Sequence, residues 1–149
     1  MNGQVIAILG IALCAITCGI GSAIGLKYTG SAASGVMAEE PKKFSRIIVL
    51  VLLPATQGLY GLLIAFMAMS HIPGADAAAS SGWSVFGAVL PMMIVGLASA
   101  ILQGQTSVAA INAVGKKSEI SGKLIMFPAM VETYALLALV VSILLLQAL

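Results

Sequence analysis

Glu132 is the residue of this sequence whose type and position together call for chemistry. It is the ninth residue of the apolar run from Leu124 to Leu149, whereas the other acidic residues and all seven Lys and Arg lie in or beside polar connections. A charged side chain at the centre of a bilayer costs about 2.5 to 3.5 kcal/mol on insertion scales, so such residues pair with partners and usually mark an ion pathway. Its partners are placed by depth, because residues equidistant from a hairpin turn lie at one level. The midpoint between Gln103 and Glu132 falls at Lys117 and Ser118, inside a basic connection, so the two side chains are expected level with each other. In another apolar run, Leu53, Thr56, Gln57 and Tyr60 stand at i, i+3, i+4 and i+7, one face of a helix. That face brings a hydroxyl, an amide and a phenol to membrane depth. Pro54 removes a backbone donor and clashes with the carbonyl four residues before it, so a free backbone oxygen is expected in this turn. One carboxylate among several neutral oxygens is a ligand set for a hard cation such as sodium. A proton needs the carboxylate alone. The extra oxygens favour sodium, with the proton as alternative; taken singly, Thr56, Gln57 and Gln103 suit plain interhelical hydrogen bonds.

The elements that must hold these groups follow from composition. The chain of 149 residues is 60% hydrophobic and 8% charged, against about 25% charged in soluble domains. About 20 apolar residues cross a hydrocarbon core about 30 Å thick, and four stretches suffice: 5–26, 47–70, 83–106 and 124–149, the strictly apolar part of the third running from Trp83 to Leu102. The expectation is an all-α membrane protein with four transmembrane helices. Those spans leave no room among these residues for a catalytic domain, a nucleotide fold or a nucleic-acid surface. Met1-Asn2-Gly3-Gln4 lacks the positive region and cleavage site of a secretory signal, so the first run is expected to stay as a helix. Cys14 and Cys18 lie one turn apart with no His or carboxylate near them in sequence, and are expected to be packing residues.

Lys and Arg near helix ends stay on the cytoplasmic side. The connection 27–46 holds Lys27, Lys42, Lys43 and Arg46, and 107–123 holds Lys116, Lys117 and Lys123. The connection 71–82 has only Asp76 and His71. Loops 27–46 and 107–123 are therefore expected in the cytoplasm, with loop 71–82 and both termini outside, in a plasma-membrane protein. Trp83 suits an interfacial anchor.

The chain also repeats itself. Ser22-Ala23-Ile24 recurs as Ser99-Ala100-Ile101, and the same shift carries Ala32-Ala33 to Ala109-Ala110. A shift three residues smaller carries Pro54-Ala55 to Pro128-Ala129 and Tyr60 to Tyr134. Two fused helical hairpins, 1–74 and 75–149, are expected. Gly58 then stands where the second repeat has Glu132, leaving the first without a carboxylate. The first and third helices carry small residues at close spacing, Gly21 and Gly25 among them, while the second and fourth are rich in Leu, Ile, Val and Met. Small residues let helices approach closely in lipid, so an inner tightly packed layer and an outer lipid-facing layer are expected, a division that a ring of many copies and a compact four-helix bundle both satisfy.

Three motifs carry a resemblance: Leu53-Pro54-Ala55-Thr56-Gln57-Gly58-Leu59-Tyr60-Gly61, the Gln103-Gly104 step, and Pro128-Ala129-Met130-Val131-Glu132-Thr133-Tyr134-Ala135. With them the whole chain resembles the proteolipid, or K, subunits of bacterial sodium-translocating V-type ATPases. The resemblance implies sodium held by the Leu53 carbonyl, Thr56, Gln57, Gln103 and Glu132, with Tyr60 bonded to the glutamate and locking the occupied site. It implies a rotor ring of identical subunits that carries ions and hydrolyses no ATP itself. Its implied neighbours are a stator membrane subunit with half-channels, central-stalk subunits on the cytoplasmic side, and lipid, with no nucleic acid. The basic connections, with Glu39, Glu40 and Glu119 beside the lysines, would meet the stalk or lipid headgroups. The rival class is a small proton-coupled multidrug exporter, which needs an aromatic-lined pocket; aromatics are 5% of this chain.

Overall fold

Four long helices make up the computed structural model, which describes residues 2–149. Helix α1 spans Gly3–Glu39, α2 Pro41–Met69, α3 Ala79–Lys116 and α4 Ser118–Gln147, each long and apolar enough to cross a membrane. No strand occurs among the described residues.

Local chemistry sets the ends. Asn2 accepts the Val5 amide proton through its side chain at 3.1 Å, capping α1. Its own amide reaches back to the Ala75 carbonyl at 2.9 Å, tying the start of α1 to the α2–α3 connection. At the other end Glu40 is extended (φ −146°, ψ 87°) because a residue before proline is excluded from the helical region; Pro41 then opens α2. The α3–α4 turn has the same extended residue at Lys117 without a proline. Lys43 donates to the Gly115 carbonyl at 2.6 Å, placing a cation on the exposed carbonyls that end α3, and it also pairs with Glu40.

The segments 27–46 and 107–123, expected as loops, are mostly helix. Helix α1 runs to Glu39 and α3 to Lys116, so one residue, Glu40 or Lys117, breaks each hairpin. Hydropathy marks where a helix leaves lipid, whereas the helix itself ends only where backbone geometry forbids it. A helix of 37 residues is about 55 Å long at 1.5 Å per residue, well beyond an apolar core of about 30 Å, so the ends of α1 and α3 project from the membrane.

Helices α1 and α3 lie against each other along their length, with α2 on α1 and α4 on α3. Glycine permits this approach: a Cβ on Gly104 would fall 2.6 Å from the Gly25 Cα, closer than real carbon contacts allow. A Gly104→Val variant must therefore separate α1 from α3. Overpacking of about 1 to 3 kcal/mol is expected, read as a fall of roughly 3 to 10 °C in the unfolding temperature in detergent; an unchanged transition would mean that the two helices do not touch here. The large side chains of α2 and α4 point the other way, Phe66 being 64% exposed and Leu137 62%, as suits a lipid-facing layer.

Two apolar clusters fill the interior. Ile11, Cys14, Cys18, Ile64, Val89 and Met92 belong to one; Val36, Ile47, Leu50, Ile111 and Val114 belong to the other. Gln57 and Gln103, both fully buried, lie between them in sequence on α2 and α3.

Candidate functional site

The site begins at the proline of α2. Regular helix stops at Leu52, a 3₁₀ turn covers Leu53–Ala55, and α-helix resumes at Thr56. Pro54 has no N–H to continue the ladder, and α1 compensates the backbone groups around it. Thr29 Oγ1 donates to the Val51 carbonyl at 2.9 Å, and the Gly58 N–H donates to Ser22 Oγ at 2.8 Å. The break is thereby held, with Gln57 turned toward α3.

A continuous polar network then crosses from α2 to α4. Thr56 Oγ1 donates to the Leu53 carbonyl at 2.9 Å and lies 3.2 Å from Gln57 Oε1. Gln57 Nε2 donates to Gln103 Oε1 at 2.6 Å. Gln103 Nε2 donates to Glu132 Oε2 at 3.2 Å and to the Pro128 carbonyl at 3.0 Å. Tyr60 OH closes the other side on Glu132 Oε1 at 2.7 Å. Glu132 itself is half-buried. All six residues singled out in the sequence thus meet in one cluster, with Gln103 level with Glu132 as the distance from the basic turn required. The backbone oxygen expected to be free at the proline turn is the Leu53 carbonyl, and it is engaged by the Thr56 hydroxyl and N–H.

Chemically the cluster offers one anionic oxygen pair, two amide oxygens, a hydroxyl and a backbone carbonyl. Oxygen-only ligation with a single negative charge suits a monovalent or hard cation, and the amide oxygens carry no proton to repel it. No group of three or more His, Cys, Asp or Glu able to hold a metal occurs among the described residues.

Sequence reading missed the Pro128 carbonyl, which takes a hydrogen bond from Gln103 and fixes its amide. The signal for it was present in the repeated Pro-Ala-x-x-x-x-Tyr pattern, since a proline turn had already been singled out in the first repeat. Ser22 and Thr29 were also missed, because their role depends on the register between α1 and α2. The duplication leaves the first hairpin unequipped: the repeat mates of Glu132, Gln103, Thr56 and Gln57 are Gly58, Leu26, Met130 and Val131. One such site exists per four helices.

The other residues noted in sequence lie apart from this cluster. Cys14 and Cys18 are free and buried, Cys18 Sγ donating to the Met92 carbonyl at 3.3 Å. Trp83 is 56% exposed and meets Phe86 edge-on at 5.4 Å. His71 lies in the turn after α2, its Nδ1 3.1 Å from Ser70 Oγ.

Residues 9–68 and 86–145 each match the family model for the C subunit of ATP synthase. The chain belongs to this ATP synthase C-subunit family and carries its unit twice, so the duplicated helical hairpin is a property of the molecule. It is 45% identical over 97% of its length to the V-type sodium ATPase subunit K of Enterococcus hirae, covering 92% of that protein. It is 39% identical over 95% of its length to the A-type ATP synthase subunit K of Methanocaldococcus jannaschii, spanning 62% of that longer protein. The resemblance drawn from the three motifs is borne out.

Proposed function

We propose that the chain is the ion-carrying rotor subunit of a V-type ATPase, built from the hairpins 1–74 and 75–149, and that it holds sodium at Glu132. The Leu53 carbonyl, Thr56, Gln57 and Gln103 complete the ligand set, and Tyr60 locks the occupied site. One observation supports this reading: a polar network runs from the Leu53 carbonyl through Thr56, Gln57 and Gln103 to the single intramembrane carboxylate, bringing four residues with neutral oxygens into its cluster, more than proton binding requires. The name of the Enterococcus hirae relative points to the same ion.

The bound cation neutralises Glu132, which removes the cost of presenting a carboxylate to hydrocarbon. Each copy loads sodium from one half-channel of a stator subunit. ATP hydrolysis in other subunits turns the ring, and the neutral site travels past lipid to a second half-channel, where a stator cation, an arginine by family analogy, displaces the ion. Moving one charge against 100 mV takes about 2.3 kcal/mol. With one carboxylate per four helices the ring moves fewer ions per turn than a ring with one per hairpin, so each ATP sustains a steeper gradient, which suits a pump. The basic ends of α1–α2 and α3–α4 face the cytoplasm and the central stalk; the termini and residues 71–82 face outward across the plasma membrane.

Carbodiimide labelling tests the ion. The reagent is expected to modify Glu132 in the purified ring, and sodium added at neutral pH and constant ionic strength is expected to slow that reaction. Protection that follows pH and ignores sodium would make the proton the cargo. Modification elsewhere in the chain would remove Glu132 from the site.

A further inference from the structure

The ligands named above all come from α2, α3 and α4, yet two buried hydroxyls of α1 grip the backbone of α2 on either side of its ligands. Thr29 Oγ1 holds the Val51 carbonyl, Ser22 Oγ holds the Gly58 N–H, and both residues are buried. Val51 lies in the last turn before the proline break and Gly58 in the first turn after it. Those are the places where carbonyls and N–H groups, respectively, lose their partners within a helix. Leu53, Thr56 and Gln57 stand between the two points. Ser22 and Thr29 share one face of α1 and lie about 10 Å apart along its axis, a span that bridges the break. Thr29 Oγ1 is also 3.2 Å from the Leu26 carbonyl of its own helix, the partner a helical threonine ordinarily takes, but the shorter contact is the one across to α2, at 2.9 Å.

The second repeat keeps the residues and lacks the grip. The two repeat shifts carry Ser22 and Thr29 onto Ser99 and Thr106, and Val51 and Gly58 onto Ile125 and Glu132. Thr106 Oγ1 donates to the Leu102 carbonyl of its own helix at 2.9 Å. Ser99 Oγ, though buried, has no hydrogen-bond partner among the described residues. The hydroxyls thus reach across to the neighbouring helix only in the hairpin whose proline turn carries Thr56 and Gln57. We infer that Ser22 and Thr29 are positioning residues that set the preference of the site for sodium over a larger monovalent cation. They fix the Leu53 carbonyl, Thr56 and Gln57 at one spacing, and the size and flexibility of an oxygen cage decide which ion it prefers. Glu132, carried by α4, depends on neither hydroxyl. The inference rests on the sodium reading given above and adds the residues of a ligand-free helix that make the site selective.

Carbodiimide labelling of the purified ring, at fixed pH and ionic strength, tests this with sodium and then potassium as the protecting ion. Thr29→Val keeps the shape of the side chain and removes its hydroxyl; Ser22→Ala removes the other. In each variant the half-protecting sodium concentration is expected to rise about 10-fold, as when groups that orient metal ligands are lost. That of potassium is expected to move less, so the preference for sodium narrows. Labelling with neither ion present is expected to match the parent, because Glu132 keeps Tyr60 and Gln103. Thr29→Ser, which restores the hydroxyl, is expected to restore the preference, and Thr106→Val to leave it as in the parent. An unchanged preference in both variants overturns the inference, as does a Thr29→Ser ring as impaired as Thr29→Val or an equal loss in Thr106→Val. An equal rise for the two ions also overturns it, since that marks a general loss of packing. Native mass spectrometry checks that each ring is assembled, and Ser22→Ala carries the test should Thr29→Val not assemble. A parent ring that sodium does not protect removes the sodium reading and this inference together; a protected parent with unmoved variants removes this inference alone.

Discussion

A Glu132→Gln variant is expected to assemble as the parent does and to bind no sodium. Glutamine keeps the size of the side chain, and its single amide oxygen can still accept from Tyr60 or from Gln103, which now reach the two carboxylate oxygens at 2.7 and 3.2 Å. What it loses is the charge that balances the cation. Removing one partner of a desolvated charge pair costs about 2 to 5 kcal/mol or more, which is roughly 30- to 5000-fold in affinity. A monovalent cation held by one carboxylate has no second anion to fall back on, so the upper part of that range applies and sodium uptake stops. The neutral amide also resembles the occupied site, so helix packing is unaffected. The measurement is sodium binding to the purified ring together with ATP-driven sodium uptake by vesicles holding the whole complex. Uptake that survives the substitution would place the ion elsewhere.

Gln103→Leu is expected to weaken sodium binding while leaving Glu132 reactive to carbodiimide. Gln103 joins the two halves of the network: its oxygen accepts from Gln57 and its amide nitrogen donates to Glu132 and Pro128. Loss of a group that both ligates and orients other ligands typically costs 10- to 100-fold in affinity, by the behaviour of outer-shell partners in metal sites. The sodium concentration that halves the labelling rate should rise by about that factor. Leucine fills the same volume, so the buried α3–α4 contact survives, although Gln57 Nε2 and the Pro128 carbonyl lose partners, each at about 1 to 3 kcal/mol when left unsatisfied. An unchanged half-protection concentration with an intact ring would make Gln103 a purely structural hydrogen-bonding residue.

Much of the site could be read from spacing because a hairpin converts sequence distance into depth. Gln103 and Glu132 are equidistant from Lys117 and Ser118, and two antiparallel helices leaving a one-residue break have no freedom to place them otherwise. Leu53, Thr56, Gln57 and Tyr60 share a face because helical periodicity requires it. The same counting could not reach across hairpins. Nothing in the spacing states that Gln57 of α2 meets Gln103 of α3, since that contact depends on how far α1 and α3 slide along each other. The lengths of α1 and α3 escaped for a different reason: segments such as Ser31-Ala32-Ala33-Ser34 have too few apolar residues to count as membrane span, yet they keep every backbone hydrogen bond inside the helix.

The amino-acid sequence by itself determined the membrane setting, the four spans, the duplicated hairpin and the lone intramembrane carboxylate, because each of these depends only on composition, period and order along the chain. The tertiary structure decided which groups are hydrogen-bonded to that carboxylate, that Pro128 joins their network, and that Ser22 and Thr29 hold the broken turn of α2. Those are matters of register between separate helices, set by where glycines such as Gly25 and Gly104 let two backbones touch, and a contact of that kind exists only once the helices have been packed.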